Sequence, residues 1–194
     1  LTEITLPESV TKLDIMAFRD CASLKTINLD HITQYGNLVF SGCTDLELDV
    51  TLPADMTVIP SSLFAGCASI RSVTLPDNLT KIDHDAFNGC SGITEISIPE
   101  SVTEIVYGAF AGTSISEVEL PDGVKVLSPR IFKDCKNLRS VKFADDITSI
   151  GSETFRWTAL ESITIPGTVS TVEQVAFANM PNLKTAVIED GEAP

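Results

Sequence analysis

The sequence predicts an α/β repeat solenoid of about eight rungs, and three observations carry that prediction. Phenylalanine recurs at Phe18, Phe40, Phe64, Phe87, Phe110, Phe132, Phe155 and Phe177, at intervals of 22, 24, 23, 23, 22, 23 and 22 residues. After each ring comes the same short apolar alternation, closed by proline in most rungs. No Gly/Ser linker, low-complexity block or shift in composition interrupts the series. Units of this length cannot bury a core alone, so residues 1–194 read as one continuous domain.

The strand comes first in each rung. Alternating pairs such as Ile27/Leu29, Val50/Leu52, Val73/Leu75, Ile96/Ile98, Val118/Leu120, Val141/Phe143, Ile163/Ile165 and Ala186/Ile188 predict strands with one buried face, and Ile4/Leu6 opens the set. Pro7, Pro53, Pro76, Pro99, Pro121 and Pro166 follow, where a residue with fixed φ and no N–H suits the end of a strand. Asp30 and Ala144 take that place in two rungs. A second apolar pair comes next, as in Leu79/Ile82 and Val102/Ile105. Ala17, Ala86, Ala109 and Ala176 precede the ring in a stretch too short for a free helix, which predicts a single helical turn held by packing. Two residues beyond each ring stand Asp20, Gly42, Gly66, Gly89, Gly112, Asp134, Trp157 and Asn179. All but Trp157 are types that tolerate a left-handed backbone, as at the end of a helical turn.

Three residues after the ring comes Cys21, Cys43, Cys67, Cys90 or Cys135, with Thr113, Thr158 and Met180 in the same slot elsewhere. Their number is odd, and side chains stacked in one column point the same way rather than at each other. They read as buried free thiols, not as bridges or metal ligands.

This unit, loosely LxxIxLPxxVTxIxxxAFxxCxx, resembles the BspA-like leucine-rich repeats. Ile93, Ile96, Ile98 and Pro99, leading through Val102 and Ile105 to Ala109 and Phe110, match it over one rung. The resemblance runs from Leu1 to about Ile188, with local departures over 30–35 and 47–50. It implies a curved array of surface and secreted proteins, regarded as adhesion or interaction modules without catalytic residues. The expected form is right-handed, with a parallel sheet on the concave face and short helical turns on the convex side.

Composition narrows the function. The formal charge of −14 is spread evenly, with 5 basic and 13 acidic residues through Ser97 and 8 and 14 after it. That surface repels nucleic acid and anionic lipid and favours cationic partners or plain solubility. No apolar run approaches the ~20 residues that span a bilayer, and no basic-then-apolar leader opens the chain. The chain reads as a soluble, monomeric module, part of a longer protein or capped by degenerate rungs, and the resemblance implies an extracellular or cell-surface setting. The C-terminal stretch 189–194 trails off after the last strand.

Sites for chemistry are few. His84 between Asp83 and Asp85 belongs to a column of mixed turn residues, and His31 is no more informative. No Gly-x-Ser-x-Gly elbow, phosphate-binding glycine loop or His-Glu-x-x-His pair is present, so no catalytic, cofactor or metal residue is assigned. The outward strand residues offer more. Glu95, Glu117 and Glu119 crowd the middle rungs, with Glu100 and Asp122 at the rim, and Lys142 follows one rung on. Repulsion among exposed carboxylates is modest, so this is either a solvated face or a face for a basic partner. Calcium is the lesser option, since no contiguous loop of oxygen ligands is present. Trp157 either folds back over a neighbouring rung or anchors an interface. The expected function is therefore a non-catalytic module binding an extracellular protein or glycan through Glu95, Glu117, Glu119, Lys142 and Trp157. The alternative is a structural spacer that presents another domain.

Overall fold

A computed structural model describes residues 1–189; the trailing stretch 190–194 lies outside the described residues. The chain forms a parallel β-solenoid of about eight turns with one continuous core. Most rungs carry two short strands, not one. The first ladder holds the predicted alternating pairs, as in Asp49–Thr51, Ser72–Thr74, Glu117–Glu119 and Ser140–Lys142. The second holds the other apolar pair, as in Lys81–Ile82, Glu104–Ile105 and Ser149–Ile150. Rungs stack in register: Val50 faces Val73, Val118 faces Val141, and Ile82 faces Ile105.

The prolines close a tight turn between the ladders. The carbonyls of Pro7, Pro53, Pro76, Pro99, Pro121 and Pro166 each accept the N–H of the residue three further on, at 2.9–3.0 Å. Where Asp30 replaces proline the turn moves one residue earlier, with Ile32 donating to Leu29 at 2.9 Å. At the start of the second ladder the Thr80 and Thr148 hydroxyls donate to the rung before, to the carbonyls of Thr57 and Lys125.

The expected helical turns are absent: no helix occurs among the described residues, which makes the array a β-solenoid rather than an α/β one. Around each ring the N–H groups alternate between two kinds of partner. Ala86, Asn88 and Cys90 close turns onto Asp83, Asp85 and Phe87, while Asp85, Phe87 and Gly89 donate to Tyr107, Ala109 and Ala111 of the next rung. Left-handed residues stand on both sides of the ring, two before and two after it. Asp85 (φ 53°) and Gly89 (φ 76°) do so in one rung, Glu153 (φ 57°) and Trp157 (φ 64°) in another. A helix cannot run through such alternation, and inter-rung bonds take the N–H groups that a helix would use. Trp157, the exception by residue type, adopts the left-handed backbone all the same.

The rings form a stack through the centre. Successive centroids lie 5.5–6.0 Å apart with interplanar angles of 5–16°, and Phe40 through Phe155 in the series are fully buried. Phe143, outside the series, packs edge-on against Phe155 at 5.9 Å. Among the described residues, Ala186 and Ile188 of the predicted inward pairs are exposed, Ile188 at 72%.

The cysteines are free thiols; Cys43, Cys67, Cys90 and Cys135 are buried and Cys21 half-buried. Each buried thiol donates to the carbonyl of a phenylalanine one rung back: Cys43 to Phe18 (3.1 Å), Cys67 to Phe40 (3.0 Å), Cys90 to Phe64 (3.0 Å) and Cys135 to Phe110 (3.1 Å). Thr113 and Thr158 fill the slot differently, donating within their own rung to Phe110 and Phe155 at 2.9 Å. Burial pushes the Cys43 and Cys135 thiols up to about 11 and Cys90 up to about 12, and raises Cys67 as well. Thiolate is the reactive form. A thiol titration of the native chain with an aromatic disulfide is therefore expected to modify Cys21 alone. Rapid modification of all five before unfolding would contradict the buried column.

Candidate functional site

The outward residues of the first ladder stand on short strands whose inward neighbours are pinned in the core. Val118 is buried between Glu117 and Glu119, so both carboxylates are held outward by the period of two. Register then sets the neighbours. Glu117 faces Ser140, and Glu119 faces Lys142, to which it is bonded in an ion pair. Two rungs before Glu117 the Ser72 hydroxyl donates to Asp49 at 2.6 Å. At the first junction the Asn28 side chain both donates to and accepts from the Leu6 main chain, continuing the ladder through its amide.

Glu95 breaks the pattern. The expected strand at 95–97 is not formed, and residues 95–98 make no main-chain hydrogen bond to either neighbouring rung. The strands Ser72–Thr74 and Glu117–Glu119 on either side each bond only to the rung farther away. Two clefts flank the open segment. One, of about 580 Å³, is lined by Ser72, Asp77, Glu95 and Glu117 among others. The other, of about 480 Å³, is lined by Ser97, Glu100, Glu117, Glu119 and Lys142 among others. Glu95, Glu117, Glu119 and Lys142 are thus brought together and exposed, with Glu117 shared by both clefts.

Trp157 is not part of this group. It stands 44% exposed in the turn column beside the buried Phe155. Its junction to the next rung is also the weakest in that column: Phe155 donates to Ala176, but no bond from Glu153 or Trp157 accompanies it. His84 is exposed and bonded to Asp83 at 2.8 Å. Among the described residues, no group of three His, Cys, Asp or Glu side chains could hold a metal ion, and no helix is long and apolar enough to cross a membrane.

A second polar cluster escaped the sequence reading. Glu153 accepts from Arg130 at 2.6 and 2.9 Å and from Arg156 at 2.8 Å, and pairs with Lys133 at 2.8 Å. Arg130 also bonds the Tyr107 hydroxyl and lies 5.3 Å from the centre of its ring. Hydrogen bonds from Lys133, Arg130 and Arg156 hold the Glu153 carboxyl well below the usual range, at about 2. The signal lay in the period: Tyr107, Arg130 and Glu153 are spaced by one rung, as are Lys133 and Arg156. Apart from the buried Arg156 Nε, which has no partner, the cluster is satisfied from within and reads as a clamp between rungs rather than as a ligand site.

Comparison with known proteins follows the fold. A family model described as a BspA type leucine rich repeat region (6 copies) matches residues 1–94 and 57–184. The chain is similar in structure to a leucine-rich repeat protein from Bacteroides ovatus, with 20% identity and a TM-score of 0.70 over 95% of this chain and 45% of that one. It is also similar to a leucine rich cell surface protein from Faecalibacterium prausnitzii, with 21% identity and a TM-score of 0.53 over 99% and 80%. A leucine rich repeat protein from T. pallidum aligns with 27% identity and a TM-score of 0.67 over 80% and 77%. The chain spans less than half the length of the Bacteroides ovatus protein. No curated protein matches it.

Proposed function

The chain belongs to the BspA-type leucine-rich repeat family, and from that premise we propose that it is a non-catalytic interaction module, secreted or held at a cell surface. The observation that carries this reading is the grouping of Glu95, Glu117, Glu119 and Lys142 around two adjoining clefts on the first ladder. A repeat spreads similar side chains over many rungs instead of converging them on one reacting atom, which suits recognition of a protein or glycan and not catalysis. The surface setting is supported by the Faecalibacterium prausnitzii protein, which is described as a cell surface protein. A monomer of charge −14 would be repelled by nucleic acid and drawn to cationic surfaces.

The spacer reading rests on a different observation: one unbroken core joins every rung, which stiffens the array along its length. Binding separates the two. The module is screened against immobilised extracellular proteins and glycans beside a Glu95→Lys/Glu117→Lys/Glu119→Lys variant, with circular dichroism to confirm that the variant folds. The expected result is a hit that weakens with salt and disappears in the variant. A hit retained by the variant would move recognition to Trp157 and the turn column, and silence across the panel would favour the spacer.

A further inference from the structure

Resting on that reading, we propose that the open central rung seats an arginine- or lysine-bearing segment of a partner protein. Its basis is the interruption of the ladder. Residues 95–98 are unbonded on both sides, whereas the strands at Asp49–Thr51, Ser72–Thr74, Glu117–Glu119 and Ser140–Lys142 are each bonded to one neighbour. Main-chain groups in an open segment are left to water or to a ligand from outside the fold. Glu95 and Ser97 are exposed, and their carbonyl oxygens accept no main-chain hydrogen bond.

The clefts set the chemistry of that ligand. Asp77, Glu95 and Glu117 line one, and Glu100, Glu117 and Glu119 line the other. The only basic residue lining either is Lys142, already bonded to Glu119. Arginine and lysine carry donors and no acceptors, so one cationic head can bond a carboxylate and a free carbonyl together. An arginine fork does so with fixed geometry. A metal ion is a poorer occupant, because the carboxylates do not converge into a group that could hold one among the described residues. A glycan lacks the complementary charge.

The test uses the chain as it stands and a fluorescein-labelled peptide of alternating glycine and arginine, read by fluorescence anisotropy, with the neutral citrulline peptide as its counterpart. The arginine peptide is expected to bind and the citrulline peptide not to. Glu95→Gln/Glu117→Gln should weaken binding about tenfold or more, the scale of losing one charge-assisted contact. Glu8→Gln/Glu47→Gln, which removes the same charge from exposed positions elsewhere, should change it less than about twofold. Equal loss in both variants would reduce the attraction to net charge and overturn the proposal, as would failure of the arginine peptide to bind. A panel partner that is lost in the Glu→Lys variant but is not displaced by the arginine peptide would also overturn it. That last outcome leaves the interaction module itself standing.

Discussion

Phe87→Ala is expected to cost about 3–5 kcal/mol of unfolding free energy, the range for removing a buried aromatic ring from a packed core. The ring is fully buried and lies parallel to Phe64 and Phe110, at 5.9 and 5.6 Å between centroids. Its removal opens a void that stacked neighbours cannot close, because the main chain of each is hydrogen-bonded to the next rung, as Phe64 is to Ala86 and Phe110 to Ile131. It also cuts the core in the middle of an array whose stability is carried by nearest-neighbour contacts, so several rungs should unfold together. Phe177→Ala, at the half-buried end of the stack, should cost markedly less. Urea unfolding of both variants checks the pair. A loss below about 1 kcal/mol at Phe87 would remove the ring column from the core.

Glu153→Ala is expected to cost about 1.5–3 kcal/mol, the range for hydrogen bonds to charged groups. The Glu153 side chain is 12% exposed and joins Arg130, Lys133 and Arg156. Without it three cations face one another across two rungs. Its folded pKa is depressed from 4.5 to about 2, so its contribution is fully present above 4.5 and is lost as the pH falls towards 2. Wild-type stability should therefore fall through that window more steeply than that of Glu153→Gln. Parallel slopes in urea unfolding at pH values across the window would show that the clamp contributes nothing.

How much of this was legible depended on whether a feature repeats. The phenylalanine column, the prolines and the thiol slot recur in rung after rung, and each has one physical role everywhere in the array. The left-handed column after the ring was legible because Gly, Asn and Asp reveal it. The matching column before the ring was not, since Met16, Leu38, Ser62, Asp85, Gly108, Arg130, Glu153 and Val175 share no chemistry. At the first six of these the N–H donates to the next rung, and those bonds hold the backbone against residue preference. The supposed helical turns failed for that reason. Of the candidate site, Glu95, Glu117, Glu119 and Lys142 could be placed on one face from strand alternation alone, while the opening of the ladder at 95–98 could not.

The sequence by itself determined the repeat, its length, the inward and outward faces of each strand and the free thiols, because these follow from periodicity and from what a single rung must bury. Tertiary structure decided the second strand ladder, the alternating turn that replaces the helix, the clamp around Glu153 and the open central rung. Those features depend on which rung lies next to which and at what register. A residue's preference acts within its own rung, but the hydrogen bonds and charges that decide these points are made with the rung above or below.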